Sequence, residues 1–389
     1  MRTRALTVIA VTIICLLSGC TTAYEKGAAA YKEMNFTEAV KHYKEAAEQG
    51  DAEAQNALGA CYKNGEGVEK DHAEAAKWYR KAAEQGHALA QNSLGYCYLN
   101  GNGVEKDLEE AFKWYRKSAE QGEAKGEYNL GVCYSDGTGV EKNLEEAVKW
   151  YKKAAEKGYV KAEHNLAICY QTGEGVEKDE KEAIKWFRKA AEQEEGSPQS
   201  QFSLGGCYQY GWGVEKDPGE AIKWYRKAAE QGYAKAQYIL GNCYKDGEGV
   251  EQDPAEAAKW YSKAAEQGDA NAQFNLGRFY EFGEGVELAP AEAIKWYKKA
   301  AKQGHTKAQY KLGGCYHYGW GVEKDLNKAA NLYRKAAEKG LDLAQYKLGG
   351  CYEFGWGLEK DLNEAIKWLK KAAEQGFLPA KERLQKLVK

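Results

Sequence analysis

Residues Ala236 to Gly268 read AQYILGNCYKDGEGVEQDPAEAAKWYSKAAEQG. This segment returns along the chain with a period of 36 residues, and its LGxCY core begins at Leu58, Leu94, Leu130, Leu204, Leu240, Leu312 and Leu348. Val132 and its counterparts fill the open position. Repeat 4 reads Leu166-Ala167 and repeat 7 carries Phe279 for the cysteine, yet both keep the frame. A period of this length is the mark of a stacked array of supersecondary units, none of which can bury its apolar face alone.

The unit resolves into helix, loop, helix. Ala236, Leu240, Cys243 and Tyr244 fall at i, i+4, i+7 and i+8, a single helical stripe. Gly247-Glu248-Gly249 ends that helix, and Val250 is placed to anchor the loop on the core. Asp253-Pro254-Ala255-Glu256 predicts the start of a second helix, with Asp as N-cap, Pro at the first helical position and Glu completing a capping box. Ala257, Trp260, Tyr261, Ala264 and Ala265 form its stripe, and Gly268 closes it.

These residues resemble the Sel1-like repeat, a long-loop relative of the tetratricopeptide repeat. Nine such units run between residues 51 and 376, so the resemblance covers most of the chain. It implies an all-α, right-handed α-solenoid whose first helices line a concave groove, and a non-enzymatic adaptor that binds other molecules there as a monomer.

Residues 1–19 stand apart. Arg2 and Arg4 precede an apolar run from Ala5 to Leu17, too short for a stable transmembrane helix and typical of a secretory signal. The run ends Leu17-Ser18-Gly19-Cys20, which resembles the lipobox of bacterial lipoproteins. By that resemblance Cys20 becomes the first mature residue and carries a thioether diacylglycerol and an N-acyl chain such as palmitate, enough acyl chains for a stable membrane anchor. The expected location is a bacterial cell envelope, the outer membrane facing the periplasm, with exposure on the cell surface as an alternative. Residues 20–23 then form a short linker.

Without residues 1–19 the chain holds 54 basic and 58 acidic residues. A slightly negative balance, interleaved as surface Lys and Glu, provides no field for nucleic acid. Residues 24–50 carry Tyr31, Phe36, Ala39, Tyr43 and Ala46 at tetratricopeptide spacing without the GxG loop, which suits an N-terminal cap. After repeat 4, the stretch 194–198 inserts two residues, read as a loop bulge or as a hinge; the stacking pattern resumes at once in Phe202 and Leu204, which favours the bulge. Residues 377–389 form an amphipathic C-terminal cap with Leu384, Leu387 and Val388 inward and Lys381, Glu382, Arg383 and Lys386 outward.

Cys61, Cys97, Cys133, Cys169, Cys207, Cys243, Cys315 and Cys351 all hold the same first-helix position. Neighbouring helices pack about 8–10 Å apart, whereas a disulfide needs Cα atoms within about 7 Å. The cysteines are therefore expected to be buried thiols. No CxxC or HExxH occurs, the six histidines are scattered, and no metal or cofactor is expected.

Positions that vary over a constant core are the ones that carry specificity. Two residues before the LG leucine stand Asn56, Asn92, Tyr128, His164, Phe202, Tyr238, Phe274, Tyr310 and Tyr346. In related tetratricopeptide repeats this position faces the groove. Rings there either pack between repeats or present a binding surface; Tyr128, Phe202, Tyr238, Phe274, Tyr310 and Tyr346 are the candidate groove residues, with repeats 5–9 the expected contact surface. Three loops replace the middle residue of GxG by tryptophan: Trp212, Trp320 and Trp356. Only those repeats have glycine six residues earlier, at Gly206, Gly314 and Gly350. A helical glycine costs about 1 kcal/mol relative to alanine, so each indole is expected either to fold over its glycine or to form with it a pocket at the groove rim. The other eight tryptophans belong to the second-helix stripe.

None of the eight serines begins an SxxK motif, and KTG, GxSxG and P-loop strings are missing. The expected function is a membrane-anchored scaffold binding a protein, peptide or cell-wall (peptidoglycan) ligand. A β-lactam- or peptidoglycan-processing enzyme, an activity linked to some cysteine-rich relatives, and a host-directed surface factor are the alternatives.

Overall fold

A computed structural model of the chain describes residues 21–193 and 196–387. Among these residues all regular structure is helical. The expected lipidation site, Cys20, the signal segment and Val388 lie outside the described residues.

The unit first quoted shows why the chain folds as helix pairs. Its first helix runs Ala234–Asp246 and its second Pro254–Glu266. Gly247, at φ +75°, ends the first helix in the left-handed conformation, and its N–H donates to Cys243 O at 2.8 Å. The loop then turns through Gly249, at φ +70°, where a Cβ would stand 2.3 Å from Pro218 O at the start of the previous repeat's second helix. Only glycine fits so close an approach. Val250 packs into the core as expected.

Asp253 caps the second helix, its Oδ1 accepting from the N–H groups of Ala255 and Glu256 at 2.9 and 3.0 Å. The expected capping box does not close. The Asp253 N–H is spent on Tyr244 O at 2.9 Å, so Glu256 pairs instead with Lys259 at 2.8 Å. The same backbone bond recurs in the other repeats, for example Asp71 to Tyr62 and Asp325 to Tyr316.

The two helices meet over the LG glycine. A Cβ on Gly241 would lie 2.7 Å from the ring of Tyr261, which is fully buried. Leu240, equally buried, belongs to a class of side chain whose burial contributes about 1.5–3 kcal/mol. Trp78, Trp224, Trp260, Trp296 and Trp368 are buried; Trp114, Trp150 and Trp186 are half-buried.

Successive repeats are hooked together by glutamine. Gln237 Nε2 donates to Ala229 O of the preceding repeat at 3.0 Å, and Gln237 Oε1 accepts from Gln267 Nε2 at 2.7 Å. The hook recurs at Gln55, Gln91, Gln273 and Gln345. In repeats 3 and 4 the buried position holds Glu127 and Glu163, which turn to Lys157 at 2.6 Å and Lys189 at 3.3 Å.

The chain divides into two compact units, residues 1–195 and 196–389, and the boundary falls in the segment of the two-residue insertion. Glu194 and Glu195 lie outside the described residues. The first unit holds the pair Ala23–Lys32 and Phe36–Glu48 followed by repeats 1–4; Thr22 and Glu25 close a full capping box at its start. The second holds repeats 5–9 and the terminal helix Leu378–Leu387. Leu384 and Leu387 pack inward there, but Arg383, expected to face solvent, bonds Glu353 at 2.7 Å and the Tyr346 hydroxyl at 3.2 Å.

Cys61, Cys97, Cys133, Cys169, Cys243, Cys315 and Cys351 are free thiols, and all except half-buried Cys169 are buried. Burial pushes the Cys61 thiol up to about 11 and that of Cys243 to about 12.

Candidate binding surface

The candidate groove residues all sit on first helices, two positions before a buried leucine, and all are half-buried. They do not stack on one another. Each leans on its own repeat's second helix: Tyr128 on Tyr151, Phe202 on Tyr225, Tyr238 on Tyr261, Phe274 on Tyr297 and Tyr310 on Tyr333, at centroid distances of 5.5 to 6.0 Å. Several also touch the residue that opens the next repeat, as Phe202 does Tyr233 and Phe274 does His305. Tyr346, whose repeat has Leu369 in place of the core tyrosine, packs on Phe377. Each ring is thus packed in part on the core and only half-buried.

The rim tryptophans are set differently in the three repeats. Trp212, 41 % exposed, packs at a tilt of 30° on Tyr210 at 4.8 Å and stands 3.9 Å from where a Cβ on Gly206 would be. Trp356 packs on Phe354 at 4.7 Å and comes within 3.6 Å of the corresponding point on Gly350. In repeat 8 the indole leaves its glycine: the nearest atom to a Cβ on Gly314 is the Tyr333 hydroxyl at 3.8 Å. So folding over glycine occurs in repeats 5 and 9, and a rim pocket in repeat 8.

That pocket is a cleft of about 440 Å³, within the range of small-molecule and side-chain sites. Gly314 and Cys315 form its floor, and Phe282, Tyr310, Tyr318 and Trp320 its aromatic walls. Lys311 is tied to Glu281 at 3.0 Å, whereas Lys347 donates to the Tyr318 hydroxyl at 3.1 Å. A smaller cleft of about 220 Å³ lies between Tyr210 and Gly249 in repeats 5 and 6.

The sequence pairs Gly314 with Trp320 and makes Tyr310 a separate groove candidate, but Phe282, Lys347 and Tyr333 were missed. A signal for Lys347 existed: the residue before the LG leucine is lysine only in repeats 8 and 9. Tyr333 stands at the place of Tyr261 in the second-helix stripe. No group of three or more His, Cys, Asp or Glu that could hold a metal occurs among the described residues.

The Sel1 repeat sequence profile matches residues 15–51, 52–87, 88–123, 124–159, 160–195, 198–233, 234–269, 270–305, 306–341 and 342–377. The first of these ten matches covers the segment read as an atypical cap, and the other nine coincide with the nine units. No curated protein matches the chain. Among solved structures it is similar to c5321 of uropathogenic Escherichia coli, described as a protective antigen with an SLR fold. That likeness is 40 % identity over 94 % of this chain and 79 % of the other, with a TM-score of 0.74. A Sel1 repeat protein from Oxalobacter formigenes is 34 % identical over 80 % of this chain and 89 % of its own, with a TM-score of 0.61.

Proposed function

Because this chain belongs to the Sel1 repeat family, whose members generally act as protein-interaction scaffolds, we propose that it is an envelope-anchored scaffold that docks a protein or peptide on repeats 5–9. The observation that carries this reading is the set of exposed aromatics there, Tyr210, Trp212, Phe282, Tyr318, Phe354 and Trp356, of which Phe282 and Tyr318 line the cleft of repeat 8. Aromatic rings supply large contact area at low entropic cost and are enriched at binding hot spots. Lipidation at Cys20 tethers the array to its membrane in this reading, which mass spectrometry of the mature N-terminus tests.

The docking itself is tested by in-cell photo-crosslinking from Tyr210 and Tyr318, the most exposed rings of the set. A discrete protein adduct supports the proposal, muropeptide adducts move it to cell-wall recognition, and an array that yields no adduct from either position overturns it. The relative described as a protective antigen favours exposure to a host as a second reading of location. Protease cleavage of the array on intact cells checks it.

A further inference from the structure

Two charged rungs link successive repeats in the second unit, each joining residues 30 apart. Glu281 pairs with Lys311 at 3.0 Å, and Glu353 pairs with Arg383 at 2.7 Å. The rung between them would fall at His317 and Lys347, which hold the same repeat positions. It has a cation and no acid. His317 turns to the rings of Tyr318 and Trp356, at 4.6 and 5.0 Å. Lys347 is left with the neutral Tyr318 hydroxyl, and no carboxylate lies within 4 Å of it among the described residues.

The same rung leaves a second group unpaired. In repeats 5, 6 and 7 the core tyrosine hydroxyl bonds a first-helix side chain: Tyr225 to Gln209, Tyr261 to Asn242 and Tyr297 to Glu281. In repeat 8 the residue at Asn242's place is Gly314, and the residue at Gln209's place is His317, whose ring lies 6.2 Å from that of Tyr333 without bonding its hydroxyl. The Tyr333 hydroxyl is therefore buried without a hydrogen-bond partner in the protein, its side chain 1 % exposed, and it lines the cleft. A buried polar group left unsatisfied is unfavourable by about 1–3 kcal/mol, and an acceptor that reaches it recovers that cost.

An unpaired ammonium and an unpaired hydroxyl thus face one aromatic-walled cavity. We propose that the cleft of repeat 8 takes one aromatic or branched aliphatic side chain of a partner peptide against Phe282 and Trp320, with an adjacent peptide carboxylate paired to Lys347. The carboxylate completes the interrupted rung, and a peptide acceptor oxygen takes the Tyr333 hydroxyl. This deepens the scaffold reading and rests on it. The carboxylate is either a chain terminus or an Asp or Glu side chain.

The test is a positional-scanning library of fluorescein-labelled hexapeptides, prepared with free and with amidated C-termini, titrated against the full chain by fluorescence anisotropy. Pools holding an apolar side chain next to a carboxylate are expected to bind at least tenfold tighter than pools lacking either. Loss of that preference on amidation names the terminus as its source, and retention names a side chain. Lys347→Gln is expected to erase the preference for acid, and Gly314→Leu, which fills the floor, to abolish binding. Tyr333→Phe removes a buried hydroxyl with no protein partner, so the melting temperature should hold or rise while affinity falls about fivefold. Pools that show no preference for acid, or a preference that survives Lys347→Gln, overturn the assignment. A partner crosslinked from Tyr210 whose capture is unchanged by Lys347→Gln and Gly314→Leu would remove the cleft from the docking surface and leave the scaffold reading standing.

Discussion

Gly313 and Gly314 are adjacent in the helix Thr306–Tyr318, yet alanine should act on them with opposite sign. A Cβ on Gly313 would lie 2.8 Å from Tyr333 Cε1 and 2.9 Å from Cδ1, closer than real Cβ contacts come, against a ring that is 1 % exposed. Overpacking of this kind costs about 1–3 kcal/mol. A Cβ on Gly314 meets nothing nearer than 3.8 Å. Both substitutions gain about 1 kcal/mol of helix propensity. Gly314→Ala is therefore expected to stabilise repeat 8 by about 1 kcal/mol. Gly313→Ala should be neutral to destabilising by about 2 kcal/mol, because the overpacking term offsets the propensity. The propensity terms cancel between the two variants, so their difference reports the cost of the clash alone. A long array does not unfold in one step, so the assay is hydrogen exchange read by mass spectrometry on peptides covering residues 306–318. Two variants that shift exchange in the same direction would refute the claim that the LG glycine exists to admit the tyrosine ring.

The buried thiols give a pH dependence with a fixed sign. Their folded pKa values are raised, to about 11 at Cys61 and about 12 at Cys243, so their contribution to stability is complete below the unfolded value of about 8.5 and is lost as pH rises through the folded one. Native protein should resist iodoacetamide at pH 8 and react in urea, and its melting temperature should fall above pH 9. Glu163→Gln should restore the glutamine hook in repeat 4 and stabilise it by about 1 kcal/mol. Burial raises the Glu163 carboxyl, against the opposing pull of Lys189, so this gain should grow as pH rises from about 4, where the carboxylate begins to form; thermal melts at pH 4 and 7 check it. Gly249→Ala places a methyl 2.3 Å from Pro218 O at positive φ, and is expected to raise hydrogen exchange in both repeat 5 and repeat 6.

The architecture was legible because each structural duty falls on the same residue type every 36 positions. Leu240, Gly241, Trp260 and Tyr261 are read from one unit and checked in eight others. The hooks were not legible, since a glutamine at Gln237 looks like any helical surface residue until its partner Ala229 O is located. The capping box misled for a related reason: Asp253 and Glu256 fit the motif, but the cap N–H had a competing acceptor, Tyr244 O, that lies across the loop. Of the candidate surface, the glycine–tryptophan coincidence pointed to a real irregularity. It could not separate Trp320, which opens a cleft, from Trp212 and Trp356, which close over their glycines. That difference is set by the neighbours each indole meets in space, Tyr210 for Trp212 and Phe354 and His317 for Trp356. Arg383 was assigned to solvent by helical phase alone, and a carboxylate one repeat back drew it inward.

The glutamine hooks and seated loop glycines join each repeat only to its immediate neighbour. Under load such a chain should behave as a stack of clasps. Pulled from its ends, each unit should yield separately, releasing 36 residues that extend to about 120 Å. An array tethered at one end and gripped by a partner at the other would lengthen stepwise, taking up relative movement while the remaining repeats stay folded. Repeats 3 and 4, where Glu127 and Glu163 replace the glutamine hook, are the clasps of different make and the places where the order of release should change.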